Sequence, residues 1–251
     1  MTGFDLRGRC AIVTGANTGI GQAIAAGLAS VGADIIGVGR SAMTQTEALV
    51  RGHRRSFHAI TADLSKTEAA RAVVDQAVAA GASPDILVNN AGIIRRADAL
   101  DFTEEDWDAV IDTNLKSAFF LSQSFAKNAI ASGRRAKIIN IASLLSFQGG
   151  IRVPSYTAAK SGLAGLTRLM ANEWASRGIN VNAIAPGYVE TNNTEALRAD
   201  AERSADILKR IPAGRWARPD DMVGAAIFLS APASDYVHGA ILPVDGGWLA
   251  R

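Results

Sequence analysis

Residues 10–21 read CAIVTGANTGIG and indicate the fold class of the chain. A short aliphatic run at 11–13 leads into a turn with glycines at positions 15, 19 and 21, and the turn leads into a stretch of helical period. Glycine allows a tight turn close to a phosphate, and a helix N-terminus offers free N–H groups with a partial positive charge. The stretch therefore predicts a strand, a dinucleotide-binding turn and a helix. A turn that only packs the strand against the helix is the alternative.

Short aliphatic runs and longer helical stretches alternate along the rest of the chain. The pattern predicts seven strands, at residues 11–13, 34–38, 56–62, 86–89, 137–141, 180–185 and 241–244. It predicts helices at 19–30, 66–80, 104–131, 155–176, 195–210 and 220–229. Nearly continuous aliphatic strands are typical of a parallel sheet that is covered by helices on both faces. We therefore predict an α/β fold: a single Rossmann domain over residues 1–251 with a seven-stranded, parallel, doubly wound sheet.

The composition is that of an ordinary globular protein, with 251 residues, of which 48% are hydrophobic and 20% charged. These values exclude disorder, collagen and coiled coil. The 26 lysines and arginines nearly balance the 24 aspartates and glutamates, so no large basic field is available for a polyanion. Basic clusters at 51–55 and 134–137 contain no interleaved aromatic residues and are predicted to be solvated surface. We expect a small-molecule partner and no nucleic acid.

The single cysteine, Cys10, excludes an intrachain disulfide and a cysteine-based zinc site. The three histidines are scattered without metal-ligand spacing, so we expect no metal. Residues 10–33 carry no charge but contain five glycines together with Asn17 and Gln22, which argues against a membrane span. The N-terminal segment lacks the features of a signal peptide. We therefore expect a cytoplasmic protein that does not enter a membrane.

Further polar motifs follow the predicted strands. The glycine loop has the spacing G-x-x-x-G-x-G, and the segment Asn89-Asn90-Ala91-Gly92 follows the fourth strand. Asn114 lies in the next helix, Ser143 follows the fifth strand, and Tyr156 and Lys160 come after it. Together these motifs resemble the short-chain dehydrogenase/reductase family, and the resemblance extends from Leu6 to Trp248. It implies a Rossmann fold and hydride transfer with a nicotinamide cofactor.

The resemblance also implies which residues contact the cofactor. These are Gly15, Asn17, Thr18, Gly19, Ile20, Gly21, Arg40, Asp63, Leu64, Asn89, Ala91, Gly92, Tyr156, Lys160, Pro186, Gly187, Val189 and Thr191. For Asn89 a strand-end turn is the alternative, for Asp63 a cap or turn, and for Pro186-Gly187 a plain strand-to-loop turn.

The identity of the dinucleotide depends on the residues after the second strand. An NAD site usually has an acidic side chain about 20 residues past the glycine loop, where this chain has Val38-Gly39-Arg40-Ser41. Arg40 would suit the 2′-phosphate of NADP, whereas Thr18 stands where NADP-dependent relatives often carry a basic residue. In the subgroup of the family that this chain resembles, NAD is the more usual cofactor, so we expect NAD(H), and Arg40 leaves NADP open.

Tyr156 and Lys160 lie four residues apart on a predicted helix, so their side chains share one face. Oxidation of an alcohol needs a base, and an ammonium about 5 Å from a phenol stabilises phenolate by roughly 3 kcal/mol, or about two pKa units. We therefore expect Lys160 to bring the pKa of Tyr156 toward neutrality. The resemblance implies that Ser143 holds the substrate oxygen and that Asn114 positions a water next to Lys160. A buried core tyrosine and a surface lysine are the alternatives.

Several segments show a closer resemblance to the sugar-acid dehydrogenases of the family, among them LLSFQGGIRVPSYTAAKSG at 144–162 and APGYVETNNT at 185–194. This resemblance implies a substrate with a keto or hydroxy group on a deoxy sugar acid, bound beneath a loop at about 187–215. Arg95, Arg96 and Arg152 are candidates for the carboxylate, and Gln148, Asn192 and Asn193 for hydroxyl groups. Solvated surface is the alternative for each of these residues.

Other functions remain open at this point. A 3-oxoacyl thioester reductase, or a steroid or polyol dehydrogenase, would use the same scaffold. A regulator that senses a dinucleotide without catalysis would be expected to lack Tyr156 or Lys160, and both are present. The resemblance further implies a homotetramer that pairs through the helices at 104–131 and 155–176. We expect Trp248 and Leu249, in the apolar C-terminal segment, at another contact between subunits.

Overall fold

One parallel sheet organises the chain, of which the computed structural model describes residues 2–250. Its strands are β1 (Cys10–Thr14), β2 (Asp34–Gly39), β3 (Phe57–Thr61), β4 (Ile86–Asn89), β5 (Ala136–Ile141), β6 (Ile179–Pro186) and β7 (Ile241–Val244). Their order in the sheet is β3-β2-β1-β4-β5-β6-β7, and every neighbouring pair is parallel. The predicted fold class is confirmed, and each predicted strand agrees with the observed bounds to within one residue.

Nine α-helices lie within residues 2–250. They are α1 (Gly19–Ser30), α2 (Thr44–Gly52), α3 (Thr67–Ala79), α4 (Glu104–Ile111), α5 (Ser117–Ala131), α6 (Pro154–Trp174), α7 (Glu195–Ala199), α8 (Ala201–Arg210) and α9 (Val223–Ser230). A π-helical turn, Asp112–Lys116, joins α4 to α5, so the predicted helix at 104–131 changes geometry in its middle. The predicted helix at 195–210 is interrupted at Asp200, whose Oδ1 accepts a hydrogen bond from the Arg203 N–H at 3.0 Å and so caps a new helix.

The sequence pattern did not predict α2. Only Thr46 and Val50 of its nine residues are buried, so its apolar period is too short to recognise. Thr46 nevertheless fixes this helix near the glycine loop, because its hydroxyl donates to the Ala16 carbonyl at 2.6 Å.

Two apolar layers cover the faces of the sheet. Alternate residues of a strand point to opposite faces, so Val13 of β1 packs on one side and Ile12 on the other. The first layer includes Ile24 of α1 and Leu229 of α9, and the second includes Phe125 of α5. Both layers are contiguous and almost fully buried, as expected for a doubly wound fold.

The strand order fixes the position of the site. The chain runs from β1 outward through β2 to β3 and then returns to β4 on the other side of β1. The connections after β1 and β4 therefore diverge, which opens a crevice at the carboxyl ends of these strands, where doubly wound folds bind ligands.

Two sequence expectations are wrong in this fold. Lys137, in the second basic cluster, is not solvated: its side chain is 4% exposed, and its Nζ lies 2.7 Å from Asp235 Oδ1. Trp248 was expected at a subunit contact but is 4% exposed within a single chain. In each case a partner distant in sequence buries the side chain.

Candidate active site

A cleft of about 740 Å³ opens at the carboxyl ends of the strands on both sides of the crevice. Most of the residues predicted to bind the cofactor line it: Gly15, Asn17, Thr18, Gly19, Ile20, Arg40, Asp63, Leu64, Ala91, Gly92, Tyr156, Lys160, Pro186, Gly187, Val189 and Thr191. Further lining residues were not predicted for this role, among them Ser41, Asn90, Ile93, Thr113 and Asn193. Its volume is within the range of about 300–1,000 Å³ typical of ligand pockets.

The glycine loop is shaped by contacts with the segment after β4. Gly15 has a φ of +66°, which favours glycine. A Cβ at Gly21 would lie 2.2 Å from the Gly15 carbonyl oxygen and 2.4 Å from Asn90 Nδ2. Gly21 is required for packing of the loop and does not line the cleft, and its contact with the cofactor stays a prediction. Asn90 Nδ2 donates to the Thr14 carbonyl at 2.9 Å and so joins the two loops.

The N-terminus of α1 is suited to an anion. Thr18 at the N-cap makes no side-chain cap hydrogen bond, and the first turn contains no acidic residue. The first N–H groups of this 12-residue helix are therefore left without a capping side chain, and Thr18, Gly19 and Ile20 line the cleft. The glycine backbone and the uncapped helix together fit the pyrophosphate of a dinucleotide.

Polar groups line the opposite wall beyond β2 and β3. Arg40 and Ser41 follow β2, and Asn17 Nδ2 donates to Ser41 Oγ at 3.0 Å. Asp63 Oδ1 accepts hydrogen bonds from the Ser65 hydroxyl and N–H at 2.9 and 3.1 Å. These bonds, with the nearby charge of Arg40, lower the pKa of Asp63, so its carboxylate stays ionised at neutral pH.

Asn89 does not reach the cleft. Its Nδ2 donates to Asn140 Oδ1 at 2.8 Å and to Ser122 Oγ at 2.9 Å, and its side chain is buried. Asn140 Nδ2 in turn donates to Thr167 Oγ1 at 2.8 Å. This network connects α5, β4, β5 and α6, as the predicted sheet-supporting role of Asn89 requires. Its contact with the cofactor stays a prediction.

Tyr156, Lys160 and Ser143 meet at the other end of the cleft, and all three line it. Tyr156 and Lys160 belong to α6, and the Lys160 Nζ lies 5.5 Å from the centre of the Tyr156 ring. Ser143 follows β5 and lies close enough to Tyr156 to lower the pKa of its phenol. The Lys160 Nζ donates to the Ile141 carbonyl at 2.7 Å, which ties α6 to the end of β5.

Burial controls the ionisation of these groups. It raises the pKa of Tyr156 above its ordinary value, although the hydrogen bond from Ser143 and the charge of Arg96 act in the opposite direction. The expectation that Lys160 makes Tyr156 acidic is therefore not met in this structure, because desolvation of the phenolate dominates. Burial also lowers the pKa of Lys160, to about 8.

Asn114 lies in the π-helical turn and is 2% exposed. Its Oδ1 accepts from the Ile93 N–H at 2.8 Å, and its Nδ2 donates to the Ile93 carbonyl at 2.8 Å. The side chain therefore holds the segment after Gly92 and does not line the cleft. The water beside Lys160 that the family resemblance implies stays a prediction.

The three candidate arginines have different surroundings. Arg95 pairs with Asp106 at 3.0 Å and Arg152 with Asp98 at 3.3 Å, so both already have a carboxylate partner. Arg96 donates to the Asn193 carbonyl at 2.8 Å and has no carboxylate partner among residues 2–250. Partial burial lowers the pKa of Arg96, and its charge acts on Tyr156. The side chain of Arg96 is exposed, and none of the three arginines lines the cleft. Their roles in binding a carboxylate stay predictions, and Arg96 differs from the other two in having no carboxylate partner among residues 2–250.

The residues predicted to bind hydroxyl groups of the substrate also differ in their position relative to the cleft. Asn192 and Asn193 line the cleft, whereas Gln148 lies outside its lining. Gln148 Oε1 accepts a hydrogen bond from Trp248 Nε1 at 3.1 Å.

No cluster of three or more metal-binding side chains occurs among residues 2–250. Over the same residues, no helix has the length and apolar character needed to cross a membrane.

Comparisons with known proteins agree with this geometry. A family model described as enoyl-(acyl carrier protein) reductase matches residues 15–249. The chain is 59% identical over 251 residues to a 2-dehydro-3-deoxy-D-gluconate 5-dehydrogenase of Escherichia coli (strain K12), which covers 100% of this chain and 99% of the relative.

Solved structures with bound cofactor superpose closely. A candidate 2-deoxy-D-gluconate 3-dehydrogenase from Agrobacterium tumefaciens, with bound NADP, has a TM-score of 0.95 and 62% identity and covers 100% of both chains. A gluconate 5-dehydrogenase from Burkholderia cenocepacia J2315, in complex with NADP and tartrate, has a TM-score of 0.93 and 41% identity and covers 99% of this chain and 98% of that one. With the cleft and its residues, these matches establish that the chain belongs to the short-chain dehydrogenase/reductase family and is a nicotinamide-dependent oxidoreductase.

Proposed function

We propose that this protein transfers a hydride between a nicotinamide cofactor and a keto or hydroxy group of a deoxy sugar acid, as in a 2-dehydro-3-deoxy-D-gluconate 5-dehydrogenase. The carrying observation is the position of Arg96, a cation without a carboxylate partner among residues 2–250, near Tyr156. The guanidinium of Arg96 is exposed, and its hydrogen bond to a carboxylate would be charge-assisted and therefore stronger than one to a neutral group. The carboxylate of a sugar acid supplies that anion, whereas a thioester or steroid ketone does not.

Tyr156 is the group that moves the proton. Because burial raises the pKa of Tyr156, its phenol is protonated at neutral pH and can donate to the carbonyl oxygen of a ketone. With a ketone bound, the single O–H of Ser143, which lies beside Tyr156, donates the second hydrogen bond to the same oxygen. When bound, the nicotinamide supplies the hydride for reduction or accepts it in the reverse direction. In oxidation, Tyr156 takes the proton back from the alcohol.

Lys160 has a positioning and an electrostatic role. Its bond to the Ile141 carbonyl at 2.7 Å holds α6 beside β5, and its charge stabilises the phenolate left after proton transfer. Since burial lowers the pKa of Lys160 to about 8, the ammonium form predominates at pH 7 and is lost progressively above pH 8.

The cofactor, the assembly and the location complete the proposal. Arg40 and Ser41 on the cleft wall, with NADP bound in two relatives, support binding of NADP as well as the NAD expected from the sequence.

Residues 187–215 form the substrate-binding loop of a single domain. Side chains on the helices predicted to pair subunits, such as Trp107 and Leu169, are 40% and 45% exposed and favour a homotetramer. The lone Cys10 favours a reducing cytoplasm.

A screen of NADH and NADPH oxidation with purified ketones tests the proposal. The panel contains 5-keto and 3-keto derivatives of sugar acids, a 3-oxoacyl thioester and a neutral cyclic ketone. We expect turnover of the sugar acids and a loss of about 10²–10⁴-fold in kcat for Tyr156→Phe, with NADH binding within twofold of the wild type by fluorescence. Preference for the thioester would instead indicate a 3-oxoacyl thioester reductase. NADH binding without turnover of any ketone would indicate a dinucleotide sensor.

A further inference from the structure

Helix α2 contributes one buried polar side chain to the back of the glycine loop. Of its residues only Thr46 and Val50 are buried, and Val50 packs in an apolar layer of the sheet, whereas Thr46 carries a hydroxyl and is 0% exposed. The Thr46 Oγ1 donates to the Ala16 carbonyl at 2.6 Å and accepts from Gln22 Nε2 at 3.0 Å. Thr46, Ala16 and Gln22 do not line the cleft, so Thr46 holds the loop from its buried side.

Gln22 extends this contact to the next carbonyl of the loop. Gln22 belongs to α1, and its Nε2 also donates to the Asn17 carbonyl, in a longer bond of 3.4 Å. Two consecutive loop carbonyls, those of Ala16 and Asn17, therefore have hydrogen-bond donors that lie outside the lining of the cleft.

The direction of these two carbonyls determines the direction of the N–H groups that follow them. In a trans peptide the carbonyl and the next N–H point to opposite sides, and every peptide bond within residues 2–250 is trans. The N–H groups of Asn17 and Thr18 therefore point away from Thr46 and Gln22. Asn17 and Thr18 line the cleft, and neither N–H has a hydrogen-bond acceptor in the part of the chain that the structure describes. Consecutive unpaired N–H groups attract an anion.

We propose that Thr46 and Gln22 are positioning residues for dinucleotide binding, which turn two loop carbonyls away from the cleft and so direct the N–H groups that follow them toward the pyrophosphate. Without the Thr46 hydroxyl, the buried Ala16 carbonyl loses this donor, and rotation of the peptide to find another would bring an oxygen toward the anion. The inference concerns the nucleotide site and is tested by binding without substrate, so it stands or falls separately from the proposed sugar-acid activity.

Thr46→Val, Thr46→Ser and Gln22→Met provide the test. Valine keeps the shape of threonine without its hydroxyl, serine keeps the hydroxyl, and methionine keeps the length of glutamine without its polar atoms. Thr167→Val on α6 is the matched control, because Thr167 is also 0% exposed and lies outside the lining of the cleft. Its Oγ1 likewise donates to a main-chain carbonyl, that of Leu163, at 2.8 Å and accepts from a side-chain amide, that of Asn140, at 2.8 Å.

The probes are ADP-ribose, which carries the pyrophosphate, and adenosine, which carries no phosphate. Calorimetry measures the dissociation constant of ADP-ribose, ligand-observed NMR measures that of adenosine, and thermal unfolding reports the stability of each variant. We expect Thr46→Val to weaken ADP-ribose binding about tenfold, since oriented hydrogen bonds to a charged group are lost, and to change adenosine binding less than about twofold. Thr46→Ser should keep both affinities within about twofold of the wild type, and Gln22→Met should weaken ADP-ribose binding alone, by about threefold.

The control separates orientation of the loop from a general loss of stability. Thr167→Val should lower the melting temperature without a change in the ratio of the two affinities. Equal losses of ADP-ribose and adenosine in Thr46→Val, unchanged ADP-ribose binding in that variant, no recovery in Thr46→Ser, or the same loss of ADP-ribose in Thr167→Val would overturn the inference. If Thr46→Val does not fold, Gln22→Met decides by the same comparison, because Gln22 is partly exposed and lies outside the apolar layers.

Discussion

At the scale of single residues, the surroundings of three similar arginines separate their roles. Arg152→Ala and Arg95→Ala should change the KM for a sugar-acid ketone less than twofold, because each arginine pairs with an exposed aspartate on the surface. Arg96→Ala should raise this KM by about 10- to 100-fold, since a charge-assisted hydrogen bond to the substrate is lost. Steady-state kinetics with 5-keto-D-gluconate and a neutral ketone measure the effect. Equal losses with both ketones would remove Arg96 from the carboxylate role.

Lys160 gives the protein a measurable pH dependence of stability. Its pKa in the folded chain is about 8, below its usual value of 10.5, because burial disfavours the ammonium. Between these pH values the unfolded chain binds more protons, so the contribution of Lys160 to the free energy of unfolding rises with pH. Urea unfolding of the wild type and of Lys160→Met at pH 8 and pH 10 measures this contribution. We expect the wild type to gain stability relative to the variant at pH 10, and a gap that stays constant would contradict the shifted pKa.

Residue identities could be predicted where the chemistry is local in sequence. The spacing of Tyr156 and Lys160 on one helix face and the glycines of the loop follow from the sequence itself. The pairing of Arg95 with Asp106 or of Trp248 with Gln148 was not, because such contacts depend on segments brought together by the fold. The raised pKa of Tyr156 also needed the structure, since burial outweighs the opposing effects of Ser143 and of the Arg96 charge.

At the scale of elements, the glycine loop depends on a close approach between two segments. A Cβ at Gly21 would lie 2.2 Å from the Gly15 carbonyl oxygen, so Gly21→Ala must displace the loop. We expect this variant to weaken NADH binding at least tenfold, about 1.4 kcal/mol, and to lower the melting temperature. Gly224→Ala in α9 is the matched control, because nothing lies within 4 Å of its Cβ position. Calorimetric titration and thermal unfolding report both effects, and unchanged NADH affinity in Gly21→Ala would contradict the close packing of the loop.

The turn after Ser143 is joined to α6 by two hydrogen bonds. Ser146 Oγ donates to the Lys160 carbonyl at 2.7 Å, and Ser161 Oγ donates to the Leu145 carbonyl at 2.9 Å. They hold the elements that carry Ser143 and Lys160 at a fixed separation. The sequence predicted both elements but not their connection, because hydroxyl-to-carbonyl bonds have no sequence pattern of their own. The sequence also did not predict the π-helical turn at Asp112–Lys116, because this change of helix geometry has no sequence pattern of its own.

At the scale of the whole molecule, the strand order explains why the place of the site could be predicted from the sequence although the contacts of its residues could not. A parallel sheet that winds outward from β1 in both directions has its crevice at the carboxyl ends of the strands, whatever the side chains. The substrate preference, in contrast, depends on surface segments such as 187–215, whose packing follows from contacts with the C-terminal turn. The fold class was therefore predictable from the alternation of strands and helices, whereas the assignment of substrate-binding residues required the structure.

The association of subunits provides a further prediction. Leu169 on α6 is 45% exposed, and we propose that it lies in an interface between subunits. Light scattering should give a mass of four times the 26.2 kDa of one chain. Leu169→Glu should reduce this mass, because a desolvated carboxylate without a partner opposes association. Leu49→Glu is the matched control, since Leu49 on α2 is 42% exposed and lies outside the helices that we expect to pair. A monomeric wild type, or a tetramer unaffected by Leu169→Glu, would show that α6 does not pair subunits in the way proposed.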